Sequence, residues 1–230
     1  TRFGDSVCMS DDGTRIAVNF YNSSTIKIYD YASGAWPTSP TVSISGTFGS
    51  GDMDMNKAGT VLAVAQGEGG SNGYIYTRDS GTGNWSLTKT WSGTGGAELC
   101  FAINGAGTRV ILGCSRSSGS TNNWFGSLHE ANYDSGTSTW SSLTEVGTYN
   151  HTGNTQWPSR LRMNSDGTRL VAIGQAPDAS DANIWHRQSG TSWTKTFDVS
   201  GRCSFYSRGS GSISYDGNMV LTGDNYYNPG

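Results

Sequence analysis

The side chains that could carry chemistry in this chain are scattered. His129, His151 and His186 fall in separate segments. His129 (SLHEANY) and His186 (NIWHR) sit on stretches that read as exposed strands, where an imidazole is an ordinary surface group. Glycoside hydrolysis would need two carboxylates fixed on either side of a scissile bond. Glu68, Glu98, Glu130 and Glu145 belong to different elements, and their spacing defines no pair. Arg116, Arg160, Arg162, Arg202 and Arg208 could bind an anionic sugar, yet no spacing ties them together. There is no GxSxG elbow, no phosphate-binding glycine loop and no dinucleotide fingerprint. Cys8, Cys100, Cys114 and Cys203 form no CxxC and no Cys/His zinc spacing, and read as free thiols. The expectation is a chain with no catalytic residue, no metal and no cofactor.

What recurs is a turn. Ser165-Asp166-Gly167-Thr168-Arg169-Leu170-Val171-Ala172 is one of five copies of a unit whose glycine falls at Gly13, Gly59, Gly107, Gly167 and Gly217, in steps of 46, 48, 60 and 50 residues. A period of this size, centred on a tight turn, marks a repeat architecture. Asp-Gly between apolar runs is a hairpin signal, because glycine takes up positive φ without a Cβ clash. A two-residue loop at Asp166-Gly167 predicts Ser165 facing Thr168 and Met163 facing Leu170. It also sets Cys100 opposite Gly113 and Cys114 opposite Leu99, on different faces, so no disulfide joins the two cysteines. Before each turn the chain alternates. Val7, Met53, Phe101 and Leu161, then Met9, Met55, Ile103, Met163 and Ile213, are apolar, with Cys8, Asp54, Ala102, Arg162 and Ser212 between them. This is a strand with one apolar face. After the turn, Leu62-Ala63-Val64, Val110-Ile111-Leu112 and Leu170-Val171-Ala172 are apolar without alternation, which predicts a strand covered on both sides.

Two more strands follow in each unit, such as Thr25 to Tyr31 and Thr41 to Ser45. Four antiparallel strands per repeat predict an all-β fold: one β-propeller domain over residues 1–230, with blades near 5–46, 52–93, 98–148 and 159–201 and a half blade at 211–230. The turn between the third and fourth strands carries Trp36, Trp85, Trp140 and Trp193, expected to pack in the seams between blades, where a large aromatic dominates the contact. Four and a half blades leave open edges. A further stretch of chain or another subunit is therefore expected to complete the ring. Ser117 to Trp124, Thr148 to Pro158 and Ser200 to Gly211 read as loop insertions.

Phe3-Gly4-x-Ser6-Val7, SDDGTRIAV and IKIYDY together resemble FG-GAP-type repeats and related bacterial and viral propeller repeats. The DGTRLAV unit also resembles repeats of the Tol-system periplasmic propeller and of the tryptophan–aspartate group. The resemblance implies a binding or structural scaffold at a cell or virion surface rather than a chemistry. Calcium-binding FG-GAP repeats converge several carboxylates in a DxDxDG loop. The loops here read SDDG, NKAG, NGAG, NSDG and SYDG, and none has three carboxylates. A second resemblance, to the Asp box of sialidases, lies in Asp79-x-Gly81 with Trp85 and Asp134-x-Gly136 with Trp140. Both run one residue longer than that motif, which is itself a structural turn.

Charged residues make up 14% and the net charge is −3, so no basic footprint for nucleic acid is present, and no apolar run approaches a membrane span. The aromatic residues assigned to insertions, Trp124, Tyr149, Trp157, Tyr206 and Tyr226, are the ligand-binding candidates, suited to stacking on a sugar ring or anchoring a protein, the alternative being that they roof the ring or contact the missing chain. The partner expected is a protein or glycan outside the cell or on a particle. Two other readings stay open: a glycan-active enzyme, which requires three arginines and a carboxylate pair to meet at one mouth of the ring, and an intracellular interaction scaffold.

Overall fold

The computed structural model describes residues 3–20, 24–49, 51–67, 70, 72–92, 98–117, 123–152, 156–175, 181–200 and 210–223. Among the described residues all regular structure is β, and five antiparallel sheets follow in chain order. Sheet I holds β1 (Phe3–Met9), β2 (Arg15–Phe20), β3 (Thr25–Asp30) and β4 (Val42–Ser45). Sheet II holds β5 (Met53–Met55), β6 (Val61–Ala65), β7 (Gly73–Arg78) and β8 (Trp85–Trp91). Sheet III holds β9 (Glu98–Ile103), β10 (Arg109–Ser117) and β11 (Asn123–Asp134), with β12 (Thr139–Trp140) and β13 (Thr144–Thr152) both paired to β11. Sheet IV holds β14 (Gln156–Met163), β15 (Arg169–Gln175), β16 (Asp181–Arg187) and β17 (Trp193–Ser200). Sheet V has two described strands, β18 (Ser210–Ile213) and β19 (Val220–Gly223). Among the described residues no helix could cross a membrane.

The first hairpin of each sheet has the expected register: Met163 pairs with Leu170, Cys100 with Gly113, and Cys114 with Leu99. The loop differs from the expected two-residue form. The Asn164 amide donates to the Arg169 carbonyl, so four residues lie in the loop. The Gly167 amide donates back to the Asn164 carbonyl, and within this turn only Gly167 has positive φ, at 73°. A primed two-residue turn would need Asp166 to be left-handed as well. The Asn164 side chain makes the wider loop affordable in hydrogen bonds, since its Oδ1 accepts the amides of Thr168 and Arg169. Asn56 and Asn104 cap their own loops in the same way.

The sheets stack through their faces. Leu62 and Val64 pack toward sheet I, while Ala63 and Ala65 pack toward sheet III. Val110 and Leu112 meet sheet II, and Ile111 meets sheet IV. Leu170 and Ala172 meet sheet III, and Val171 and Ile173 meet sheet V. The second strands are thus covered on both sides, as their unbroken apolar runs require.

Polar devices repeat across the seams. Successive turns join amide to carbonyl: Asp11 to Lys57, Lys57 to Gly105, Gly105 to Ser165, and Ser165 to Tyr215. The arginine two residues after the turn glycine reaches the next turn, with Arg15 Nη1 donating to the Gly59 carbonyl, Arg109 Nη1 to that of Gly167 and Arg169 Nη1 to that of Gly217.

Three of the four turn tryptophans sit in seams. Trp85 packs with the core between sheets I and II and lies beneath Arg15. Trp140 stands edge-on to Trp91 of sheet II. The indole of Trp193 donates to Glu130 of sheet III. Trp36 does not follow: it is exposed and touches Tyr31 of its own sheet. Each of the others leans on the preceding sheet, and no described sheet precedes sheet I.

Candidate functional site

The first strands of the five sheets lie side by side, and the polar residues between their apolar positions face a common cleft. Asp54 of β5 and Arg162 of β14 line it, and beside it Asp52, just before β5, meets Arg160 of β14. Arg160 Nη1 is 2.7 Å from Asp52 Oδ1, reaching past sheet III to do so. Ser6 also donates to Asp52 Oδ1. Asp52 is buried and its Oδ2 takes no hydrogen bond, with Arg162 Nη1 3.5 Å away. Asp54, two residues on, accepts the amides of Ile103 and Met55, each at 3.0 Å. No cation lies within ion-pair distance of Asp54 among the described residues.

Burial pushes the Asp54 carboxyl up to about 6, against the pull of the Arg162 guanidinium. The ordinary value is 3.8, so the folded protein holds this proton more tightly than the unfolded chain. Stability is therefore lost as pH rises from about 4 to about 6, by up to about 3 kcal/mol above that window. Asp54→Asn mimics the protonated acid. It is expected to stabilise the protein by up to about 3 kcal/mol at pH 7.5 and to change little at pH 4. Urea unfolding at both values checks this, and a destabilised variant at pH 7.5 would refute it.

The other arginines and acids divide by role. Glu130 is fully buried on β11 and binds Arg109, Arg187, Asn132 and Trp193, an interior network between sheets III and IV. Asp79 and Asp134 turn their carboxylates onto their own loops, accepting the amides of Gly81, Thr82 and Gly136. These bonds hold both carboxyls below the usual carboxylate value, and the two Asp-box-like segments act as turns. Of the five arginines singled out in the sequence, Arg162 lines the cleft and Arg160 pairs with Asp52 beside it. Arg202, Arg208 and the side chain of Arg116 lie outside the described residues. His129 meets Ser127 on β11. Among the described residues no group of three or more His, Cys, Asp or Glu could hold a metal.

The aromatic candidates fare differently. Trp157 is buried, 6.3 Å from Trp185 in the core between sheets III and IV, so it is not an exposed stacking platform. It fits because β11 offers Gly126 there; a Cβ on Gly126 would fall 2.1 Å from the Trp157 carbonyl. Trp124 and Tyr149 lie within β11 and β13 instead of loops, because strand pairing runs on through segments read as insertions. Their side chains, with Tyr206 and Tyr226, lie outside the described residues.

Sequence reasoning missed the convergence of Asp52 and Asp54 with Arg160 and Arg162. The available signal was opposite charge at matching positions of the second and fourth repeats.

No family model matches the chain and no curated protein aligns with it. Solved structures do match in fold. A functionally unknown protein from Desulfotomaculum acetoxidans superimposes with a TM-score of 0.63 at 14% identity, over 96% of this chain and 62% of that one. Hydrazine synthase from Kuenenia stuttgartiensis gives 0.61 at 12%, over 95% of this chain and 60% of that one. TolB from Acinetobacter baumannii gives 0.54 at 17%, over 94% and 47%. The shared feature is an all-β, propeller-like arrangement of antiparallel sheets. This chain spans less than two thirds of each of the three.

Proposed function

We propose that the chain is an arc of a β-propeller, four blades and half of a fifth, that serves as a non-enzymatic binding and structural module. Its ring is completed by further chain or by another subunit. The carrying observation is a mismatch between equivalent positions. Met53, Met55, Phe101, Ile103, Leu161 and Met163 are buried against the preceding sheet, whereas Val7 and Met9 at the same positions are 49% and 55% exposed. Ala17, Ala63, Ile111 and Val171 are buried against the following sheet, whereas Leu221 is 75% exposed. Both ends of the arc therefore present one half of an apolar seam, and faces of this kind mark interaction surfaces. The extra length of the structural neighbours is in keeping with more blades.

A non-enzymatic role is supported by the engagement of Asp52, held by Arg160 and Ser6 beside the cleft. The placement at a cell or particle surface, against protein or glycan, rests on the repeat resemblance and low charge. Light scattering on the isolated chain is expected to show association that Met9→Glu or Leu221→Glu suppresses. A wild-type chain that stays monomeric at tens of micromolar, with both variants unchanged, would refute covered ends. Turnover of any glycan in a screen would refute the non-enzymatic reading.

A further inference from the structure

The cleft between the first strands has a composition that selects a ligand class, an inference resting on the reading of the chain as a binding module. It encloses about 370 Å³, toward the lower end of the volumes typical of small-molecule sites. Both signs of charge line it: Asp11 and Asp54, Lys57 and Arg162. Met9, Met55, Ile103, Met163 and Ile213, one from each repeat, also reach its lining, Met9 the most exposed of them and Met55, Ile103 and Met163 nearly buried.

Two of these charges are incompletely matched. Asp54 is bound by amides alone. Arg162 uses only Nη1, toward the Leu161 carbonyl and Asp52, which leaves Nε and Nη2 without a hydrogen bond among the described residues. Lys57 lies 4.6 Å above the ring of Tyr215 and 3.3 Å from its hydroxyl, at the rim. A ligand that fills the cleft displaces the water solvating these groups and must replace its hydrogen bonds. A simple anion would meet Asp54 and Asp11, a simple cation would meet Arg162 and Lys57, and an apolar molecule would strand all four. Methionine-rich walls adapt to varied apolar shapes.

We propose that this cleft binds a free amino acid with an apolar side chain, its ammonium on Asp54, its carboxylate on Arg162 and Lys57, and its side chain on the methionine wall. The test is calorimetric titration of the chain with L-leucine, isoamylamine, which lacks the carboxylate, and 4-methylpentanoate, which lacks the ammonium. Leucine is expected to bind at least tenfold more tightly than either. Asp54→Asn, a variant expected to fold at least as well as the parent, should remove the preference for leucine over 4-methylpentanoate. Arg162→Gln should remove the preference over isoamylamine. Absence of leucine binding up to about 10 mM, equal affinity for the three compounds, or an unaltered Asp54→Asn variant would each overturn the proposal. Any of these results, with end-face association intact, would leave the propeller reading standing.

Discussion

Replacing Glu130 by alanine is expected to destabilise the protein by about 3–5 kcal/mol, the cost of stripping one partner from a buried ion pair. Its side chain has no solvent exposure. One oxygen lies 3.1 Å from Arg187 Nη2, 3.3 Å from Arg109 Nε and 2.8 Å from Asn132 Nδ2, and the other accepts the Trp193 indole. Removing the carboxylate leaves two guanidinium groups facing each other in a closed seam. Burial and the neighbouring Arg187 already hold the Arg109 guanidinium below its usual value, with Glu130 opposing them. Glu130→Gln keeps the shape and loses the charge, so it should fall between the parent and the alanine variant. Lys195→Ala is the control, since its 2.9 Å pair with Asp198 is solvent-exposed and worth under about 1 kcal/mol. Urea midpoints with unchanged slopes would report these differences. A loss below 1 kcal/mol for Glu130→Ala would mean that the arginines find other partners, and the network would not be what joins sheets III and IV.

Much of the fold was legible because the repeat states it several times. The pairing of Met163 with Leu170 follows from the turn glycine and from side-chain alternation, and a loop of four instead of two preserves it because both are even insertions about the same axis of pairing. The double coverage of Val110-Ile111-Leu112 follows from an apolar run with no polar face. What failed lay in the loop length, in segments outside the repeat, or in a unit's place in the stack. Trp157 comes after a stretch with no counterpart in the other units, and only the strands beside it, with Gly126 opposite, show that it is interior. Trp36 matches its counterparts in sequence and differs from them through its position in the stack, which no local pattern encodes. The cleft was hidden for a related reason. Asp52 and Arg160 beside it lie 108 residues apart, next to and within first strands of sheets that are not adjacent, and their encounter depends on how closely those strands pack.

The seam tryptophans offer the second large effect. Trp140→Ala is expected to cost about 3–5 kcal/mol, as does deletion of a large buried aromatic elsewhere. Its ring stands at 80° to Trp91, 6.1 Å between centroids, and 5.5 Å from Tyr133, so the cavity would open between two sheets that cannot close on it without shifting strands. Trp193→Ala should cost as much, because it also leaves Glu130 short of a donor. For a chain of this length the loss corresponds to roughly 10 °C in melting temperature. Trp36→Ala is expected to cost less than about 1 kcal/mol in the isolated chain, since it surrenders only an exposed contact with Tyr31. The difference between equivalent residues isolates the contribution of the seam, because the residue type and the local turn are matched. If the ring is completed as proposed, Trp36→Ala should become costly once the closing element is bound, approaching Trp140→Ala. A Trp36→Ala variant as damaged as Trp140→Ala in the isolated chain would show that sheet I is already covered, and the open-arc reading would fail there.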